Sequence, residues 1–298
     1  MNITEALDLA IKMSERGSLD GGYVTVTEDG KSISRQTYMT NEEWSSFLAD
    51  MPTEARNEYS AGGGDELSEK GGRPPKMASY GSSSRMIYNL SRNKAGFHFE
   101  KKLPTTVGGK ANLDGFCDDG GRYIFVEAKC HEPYSSKRCT MSKAYAELID
   151  YINEGVACGV QIDAELSKCG RYLNVDFYAE GEKLLYFDLK QMICHLLGIA
   201  TGILKGTLKI KQTDFIYLLY DPTELDIAPE AKEKIDEIYL RTCYECNLVD
   251  FAELFRVIIE FLVETELEGV LSSEDIYNII LKFTFTLASQ DFYPILIQ

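Results

Sequence analysis

A chain of 298 residues is long enough to bury a substantial core, as one large domain or two modest ones. Its 47 acidic residues outnumber its 31 basic ones for a formal net charge of −16, which weighs against a surface uniformly suited to phosphate. No apolar run approaches a membrane span, and Met1-Asn2-Ile3-Thr4-Glu5 lacks the basic start and apolar core of a secretory signal, so a soluble cytoplasmic protein with reduced cysteines and no membrane partner is expected.

Residues 4–16 read as an amphipathic helix, with Ala6, Leu9, Ala10 and Met13 at helical spacing. A hairpin is expected next, from Tyr23-Val24-Thr25-Val26-Thr27 through the turn Glu28-Asp29-Gly30 into residues 32–39. Asn41 is a candidate cap for a short helix beginning Asn41-Glu42-Glu43-Trp44. The stretch 61–84 contains Gly62-Gly63-Gly64, Gly71-Gly72 and Pro74-Pro75, is too rich in Gly, Pro and Ser for a packed element, and reads as a flexible loop. No G-K-[ST] follows its glycines to make a phosphate loop. The chain is thus expected to divide into an N-terminal appendage over 1–60, a linker over 61–81 and a core that starts at residue 82.

A helix over 83–94, with Met86, Ile87 and Leu90 on one face, leads into a strand over 97–103 that stops at Pro104. Residues 111–117 are also strand-like, and Ile124, Val126 and Ala128 alternate with Phe125, Glu127 and Lys129 at the two-residue period of a further strand. Between them Asp118-Asp119-Gly120-Gly121 has turn chemistry, since Asp tolerates and Gly prefers positive φ. The expected product is an antiparallel hairpin with Glu127 and Lys129 on one face. Asp114 falls opposite Glu127 or diagonally across from it, provided the register keeps it on that face. Two facing carboxylates destabilise a hairpin unless something neutralises them. A hard cation such as Mg²⁺, which takes one or two carboxylates and completes its octahedron with water and substrate phosphate, is the simplest neutraliser. The Ala128 carbonyl can add an oxygen, and the Lys129 ammonium can orient or deprotonate an attacking water.

Further along, a helix is expected over 141–154, with Ala144, Leu148, Ile149 and Ile152 inward, then strands over 172–179 and 183–187 around Glu180-Gly181-Glu182. Residues 188–204 form a long apolar helix with Met192, Ile193, Leu196, Leu197 and Ile203 as its buried stripe. The run Phe215-Ile216-Tyr217-Leu218-Leu219-Tyr220 suits a central strand buried on both faces. Helices over 231–240, 248–266 and 273–288 are expected to make an acidic helical extension, 223–298, packed on the core. Within it Cys243-Tyr244-Glu245-Cys246 is a single C-x-x-C; with no second pair or nearby histidine it cannot complete a zinc site and reads as structural.

Asp114 followed after a turn by Glu127-Ala128-Lys129 resembles the active-site motif of the PD-(D/E)XK nuclease superfamily. The match covers about 82–133 and, more loosely, 188–222, with Leu113 where the family motif has Pro. The resemblance implies an α/β fold with a restriction-endonuclease-like core, 82–222, whose central mixed β-sheet is flanked by helices, and a metal-dependent phosphodiesterase cutting DNA with Mg²⁺ or Mn²⁺ as cofactor. It implies Asp114, Glu127 and the Ala128 carbonyl as metal ligands and Lys129 beside the attacking water. Members often carry another acid in the first helix or strand, and Glu100, the only acid between residues 82 and 113, is the candidate. It also directs polar side chains near the start of the long helix, here Lys190, Gln191 and His195, toward the site or the substrate backbone, against the alternative of a merely solvated face.

The charge distribution accommodates this reading. Lys70, Arg73, Lys76, Arg85, Arg92, Lys94, Lys101, Lys102 and Lys110 form a basic stretch whose sole acid is Glu100, while the acidic excess lies mostly after Asp221. Arg85, Arg92, Lys101, Lys102 and Lys110, with Lys190 and Gln191, are the expected contacts to DNA. His98 shares the face of Glu100 and His131 follows Lys129, but a lone histidine is more often packed or solvated. Double-strand cutters commonly pair, so a homodimer is one assembly the reading allows. Two alternatives remain: a module that binds nucleic acid or protein without cutting, and a glycoside hydrolase using Asp114 and Glu127, which would leave Lys129 and the basic run idle.

Overall fold

A computed structural model describes residues 2–19, 21, 30, 36–62, 66–135, 139–155, 159–265 and 272–297. The hairpin expected over 23–39 lies, up to residue 35 and apart from Gly30, outside the described residues; beyond it Tyr38 makes a single antiparallel bridge with Ser79.

Helix α1 spans Ile3–Arg16, capped by the Asn2 side chain accepting from the Glu5 N–H. Helix α2, Asn41–Asp50, starts one residue earlier in its logic than expected: Thr40, not Asn41, is the cap, because Thr40 and Glu43 form a reciprocal capping box. Helix α3 follows at Thr53–Ala61. Residues 66–82, expected to be a flexible loop, contain a short 3₁₀ turn at Lys76–Ala78 and isolated bridges at Ser79 and between Lys70 and Arg73, and Met77, Ala78 and Tyr80 are buried. The Gly and Pro content precluded a long element without preventing the segment from packing. Helix α4, Ser83–Ser91, then leads into strands β1 (Phe97–Pro104), β2 (Lys110–Asp118) and β3 (Arg122–Lys129), close to the expected bounds.

Strand β4 (Thr140–Ser142) precedes a 3₁₀ turn and helix α5 (Ala146–Glu154), so the helix expected from residue 141 starts later. Strand β5 (Val160–Leu166) pairs with β6 (Tyr172–Ala179), and the expected second strand of that hairpin shrinks to β7 (Glu182–Lys183). The chain turns away after Lys183 because the N–H groups of Leu185, Tyr186 and Phe187 are taken by the Glu245 carboxylate rather than by a ladder. Helix α6 (Leu189–Leu204), capped by Asp188, and strand β8 (Gln212–Leu219) follow. The last third comprises α7 (Pro229–Asn247), α8 (Phe251–Thr265), α9 (Ser273–Leu281), β9 (Phe283–Ser289) and the single turn α10 (Tyr293–Leu296).

The fold is α/β with a central mixed sheet flanked by helices. Its strand order is β1-β2-β3-β8-β9, with β1–β2–β3 antiparallel and both β3–β8 and β8–β9 parallel. A second sheet carries β4-β6-β5. The helix expected over 273–288 is therefore wrong in its second half: Phe283-Thr284-Phe285-Thr286-Leu287 alternates with period two and completes the central sheet instead of an all-helical extension.

Strand β3 divides two apolar clusters. Tyr123 and Phe125 pack with α5, α6 and α8, whereas Ile124, Val126 and Ala128 pack with α1, α4 and Trp44 of α2. Both β3 and β8 are buried on both faces, but only β8 reads as an unbroken apolar run, from Phe215 to Leu219, since Glu127 and Lys129 interrupt β3. On α6, Gly198 lets the helix approach β1 and β2, since a Cβ there would lie 2.6 Å from the Ala111 Cβ and 3.2 Å from the Leu103 Cβ. Overpacking of about 1–3 kcal/mol exceeds the ~1 kcal/mol of helix propensity that alanine adds. Gly198→Ala is thus expected to lower the melting temperature; a rise would show that the helix can shift without cost. Among the described residues no helix is long and apolar enough to cross a membrane.

Candidate active site

The paired register of β2 and β3 runs from Gly115↔Val126 to Asp118↔Tyr123. At its open end the Asp114 carboxylate replaces a ladder carbonyl, accepting the Ala128 N–H at 2.7 Å. This anchors the first acid beside the strand that carries Glu127 and Lys129, and all three line one cavity of about 410 Å³. Glu100 lines it too, its backbone at φ 54. A non-glycine residue in the left-handed region is held there only by its surroundings, and such residues cluster at functional sites.

Glu127 and Lys129 are 1% and 7% exposed. The Lys129 ammonium donates to Glu127 Oε1 at 2.5 Å and to Gln191 Oε1 at 2.6 Å, and the second Glu127 oxygen meets His195 Nε2 at 2.8 Å. His195 Nδ1 is buried with no hydrogen-bond partner, so the ring meets the site through Nε2 alone. The first turns of α6 supply both Gln191, which meets the ammonium, and His195, which meets the carboxylate. The sequence alone left them balanced between a site role and a solvated face.

Burial raises the Glu127 carboxyl, but Lys129 and His195 outweigh it and hold the group below its ordinary value. Burial likewise works against the Lys129 charge, and Glu127 followed by Glu132 reverses it, keeping Lys129 well above the usual lysine range. Burial and then the Glu127 charge push Asp114 well above the usual carboxylate range, against the pull of Lys129 and the Ala128 N–H. Burial and then Glu66, with Glu127 adding, push Glu100 up to about 7. Asp114, Glu100 and Glu127 thus crowd three carboxyl groups into one cavity, and acids pushed up in this way mark a place that added positive charge would stabilise.

Glu100 predicts a pH dependence. Its folded value of about 7 lies above the ordinary 4.5, so between those limits the folded state keeps a proton that the unfolded chain releases, and stability falls as pH rises through the window. Glu100→Gln should flatten the decline in melting temperature over this window relative to the parent. An unchanged slope would mean that Glu100 is not held in the neutral form.

Other residues at the cavity had no periodic signal in the sequence. Glu66, Lys70, Arg73 and Lys76 come from the Gly/Pro-rich stretch, and Ser82, Ser83 and Ser84 from the start of α4. Glu66 is buried, with one oxygen paired to Lys76 at 3.2 Å and the other unpartnered. Glu132 ties the end of β3 to α4, accepting the Cys130 N–H at 2.8 Å and the Ser83 hydroxyl. His131 also lines the cavity, with Nδ1 3.4 Å from Asp8 of α1.

The expected DNA contacts scatter. Gln191 is in the cavity wall, whereas Arg85 is buried, paired with Glu15 and lying over the Tyr80 ring. Its charge is thus spent internally. Lys101 lies over Phe116, and Lys102 donates to the Ala61 carbonyl. Arg92, Lys110 and Lys190 are not in the cavity wall. His98, outside the cavity, pairs with Glu58 at 2.7 Å. In the C-x-x-C, Cys243 and Cys246 are free thiols, and the residue between them with a defined role is Glu245.

The donors at the β2–β3 opening are oxygens. Among the described residues no group of three His, Cys, Asp or Glu side chains can hold a metal ion by itself. A cation here would need the Ala128 carbonyl, water or phosphate oxygens to complete its coordination, which is how Mg²⁺ is commonly held. The chain matches no protein-family model, no curated protein and no solved structure.

Proposed function

We propose that the protein is a metal-dependent endonuclease that hydrolyses DNA phosphodiester bonds on a restriction-endonuclease-like core. The observation that carries this reading is the meeting of Asp114, Glu127 and Lys129 in one cavity at the open end of β2 and β3. Asp114, Glu127 and the Ala128 carbonyl would hold Mg²⁺ or Mn²⁺. When bound, the cation supplies Lewis-acid stabilisation of charge on the phosphate oxygens. Lys129 is held protonated by its acidic neighbours, so its part is to orient water and offset phosphate charge rather than to remove a proton. Gln191 fixes the ammonium and His195 fixes the Glu127 carboxylate, both from the rigid α6.

A specific observation favours a second reading, a module that binds without cutting: both oxygens of Glu127 are already engaged by Lys129 and His195, so that acid is neutralised without a cation. A cleavage panel on plasmid, linear and single-stranded DNA with Mg²⁺, Mn²⁺ and EDTA, run beside calorimetric titration of Mg²⁺ and DNA, separates them. Cleavage that needs the cation and drops roughly a hundredfold or more in Asp114→Asn supports the nuclease. Binding without turnover supports the module.

A further inference from the structure

The central sheet has two edges, and only one of them is defended. An edge strand presents a row of unpaired N–H and C=O groups to any strand that can reach it, and proteins blunt such edges with charges, proline, an interrupted ladder or a covering element. Strand β1 shows each of these. Glu100, Lys101 and Lys102 are charged, the strand ends at Pro104, its ladder to β2 skips Glu100, and Glu58 of α3 accepts the Phe99 N–H at 2.8 Å. The edge strand β5 of the second sheet carries Asp163 and Glu165. Strand β9 has no such device: its seven residues, Phe283–Ser289, include no charge and no proline and pair with β8 without a break.

The ladder fixes which groups are left over. Just ahead of the strand the Thr213 N–H donates to the Lys282 carbonyl at 2.8 Å, and on one strand of a parallel ladder the bonded residues alternate with unbonded ones. Thr284, Thr286 and Ala288 therefore serve β8. Phe283, Phe285 and Leu287 turn their backbone groups to the open side, where no strand pairs with them among the described residues.

Charge selects the occupant. A second copy of a chain with net charge −16 is repelled over much of the surface, yet from Tyr277 to Gln290 the sole charged residue is Lys282. Lys282 precedes the strand and Asp291 follows it, and neither makes an ion pair among the described residues. Two β9 strands laid antiparallel bring the lysine end of each to the aspartate end of the other, so the opposite charges meet twice. Tyr277 and Leu281 of α9, with Phe292 and Ile295 beyond the strand, are large apolar side chains left exposed beside these ends, the kind of surface a subunit contact covers.

We propose that β9 is the seam of a homodimer in which two copies pair this strand antiparallel about a two-fold axis and join their central sheets into one. The register that pairs the whole strand sets Thr286 opposite its counterpart and Phe285 opposite the partner's Leu287. The cavity lies at the C-terminal end of β3, which runs parallel to β8 and β9, so the dimer opens its two cavities toward opposite ends of the joined sheet. The pairing is independent of what the cavity does.

Sedimentation velocity over a micromolar concentration series reads the assembly, with circular dichroism as the check on folding. The parent is expected to sediment as a dimer. Thr286→Lys sets two ammonium groups face to face in the seam and should leave a folded monomer. Lys282→Asp and Asp291→Lys each turn two attractive contacts repulsive and should weaken dimerisation roughly tenfold at low salt, and the two together should recover the parental affinity. A residue that merely supported the fold would show no such recovery. A parent that stays monomeric, leaving the edge to a strand of another protein, would overturn the proposal. So would a dimer that a folded Thr286→Lys leaves intact, or charge reversals that do not weaken it singly or are not rescued in combination. If Thr286→Lys fails to fold, the charge reversals decide.

Discussion

Lys129→Ala is expected to abolish cation-dependent cleavage and to lower stability by about 3–5 kcal/mol, because it leaves the Glu127 carboxylate buried with His195 as its only side-chain partner. For a chain of this length that is a fall of roughly 6–15 °C in melting temperature. The two losses have different origins and can be separated. Removing both charges, as in Glu127→Gln with Lys129→Met, eliminates the uncompensated carboxylate and should restore much of the lost stability, since buried ion pairs contribute little net when both partners go. Activity should stay absent, because the acid and the ammonium are both gone. A double variant no more stable than Lys129→Ala, measured by thermal and denaturant unfolding, would contradict this account of the pair.

A comparably large loss is expected just ahead of the N-terminal end of α6, the end that faces the site. Glu245 on α7 is fully buried, and its Oε2 accepts the N–H groups of Leu185, Tyr186 and Phe187 at 3.0, 2.8 and 3.0 Å, while Arg241 holds Oε1 at 3.1 Å. These are the residues that deliver the chain to the Asp188 cap of α6, and so to Gln191 and His195 at the site. Glu245→Ala would strand three donors, that of Phe187 buried and the other two part-buried, and a buried donor left unpaired costs about 1–3 kcal/mol, so a loss of about 2–4 kcal/mol is expected. Glu245→Gln keeps an accepting oxygen and should lose less. Glu182→Ala, which removes an exposed partner of the same Arg241, should change little. If Glu245→Ala unfolded at the parental temperature, the loop would have found other acceptors, and α6 would not depend on α7 for its placement.

Much of this arrangement was legible in the sequence where a period governs structure. The alternation in Ile124–Lys129 and the Asp-Asp-Gly-Gly turn placed β2, β3 and the acid–lysine set, and the apolar stripe of α6 placed the helix that covers them. Where the reading failed, the period was present but overruled. Phe283–Ser289 alternates clearly, yet it adjoins the apolar helix α9 and was absorbed into it, and Val160–Leu166 alternates as regularly without having been read as a strand. The cavity wall is a different case. Glu66, Arg73 and Tyr38 come from irregular segments that tertiary packing puts in place, so neither spacing nor composition could assign them to the site. Arg85 shows the converse, a basic residue in the right stretch whose charge is cancelled by a contact across the fold, to Glu15 of α1.

On the proposed reading, Asp114, Glu127 and Lys129 act together on a phosphodiester through one shared cation. This is tested by the cleavage rate of end-labelled single-stranded and duplex DNA in Mg²⁺, in Mn²⁺ and in EDTA, for the parent and for Asp114→Asn. The expected result is cleavage of at least one substrate in either cation, none in EDTA, and a loss of roughly a hundredfold or more in the variant. Cleavage that persists in EDTA, or that Asp114→Asn leaves at the parental rate, would contradict it.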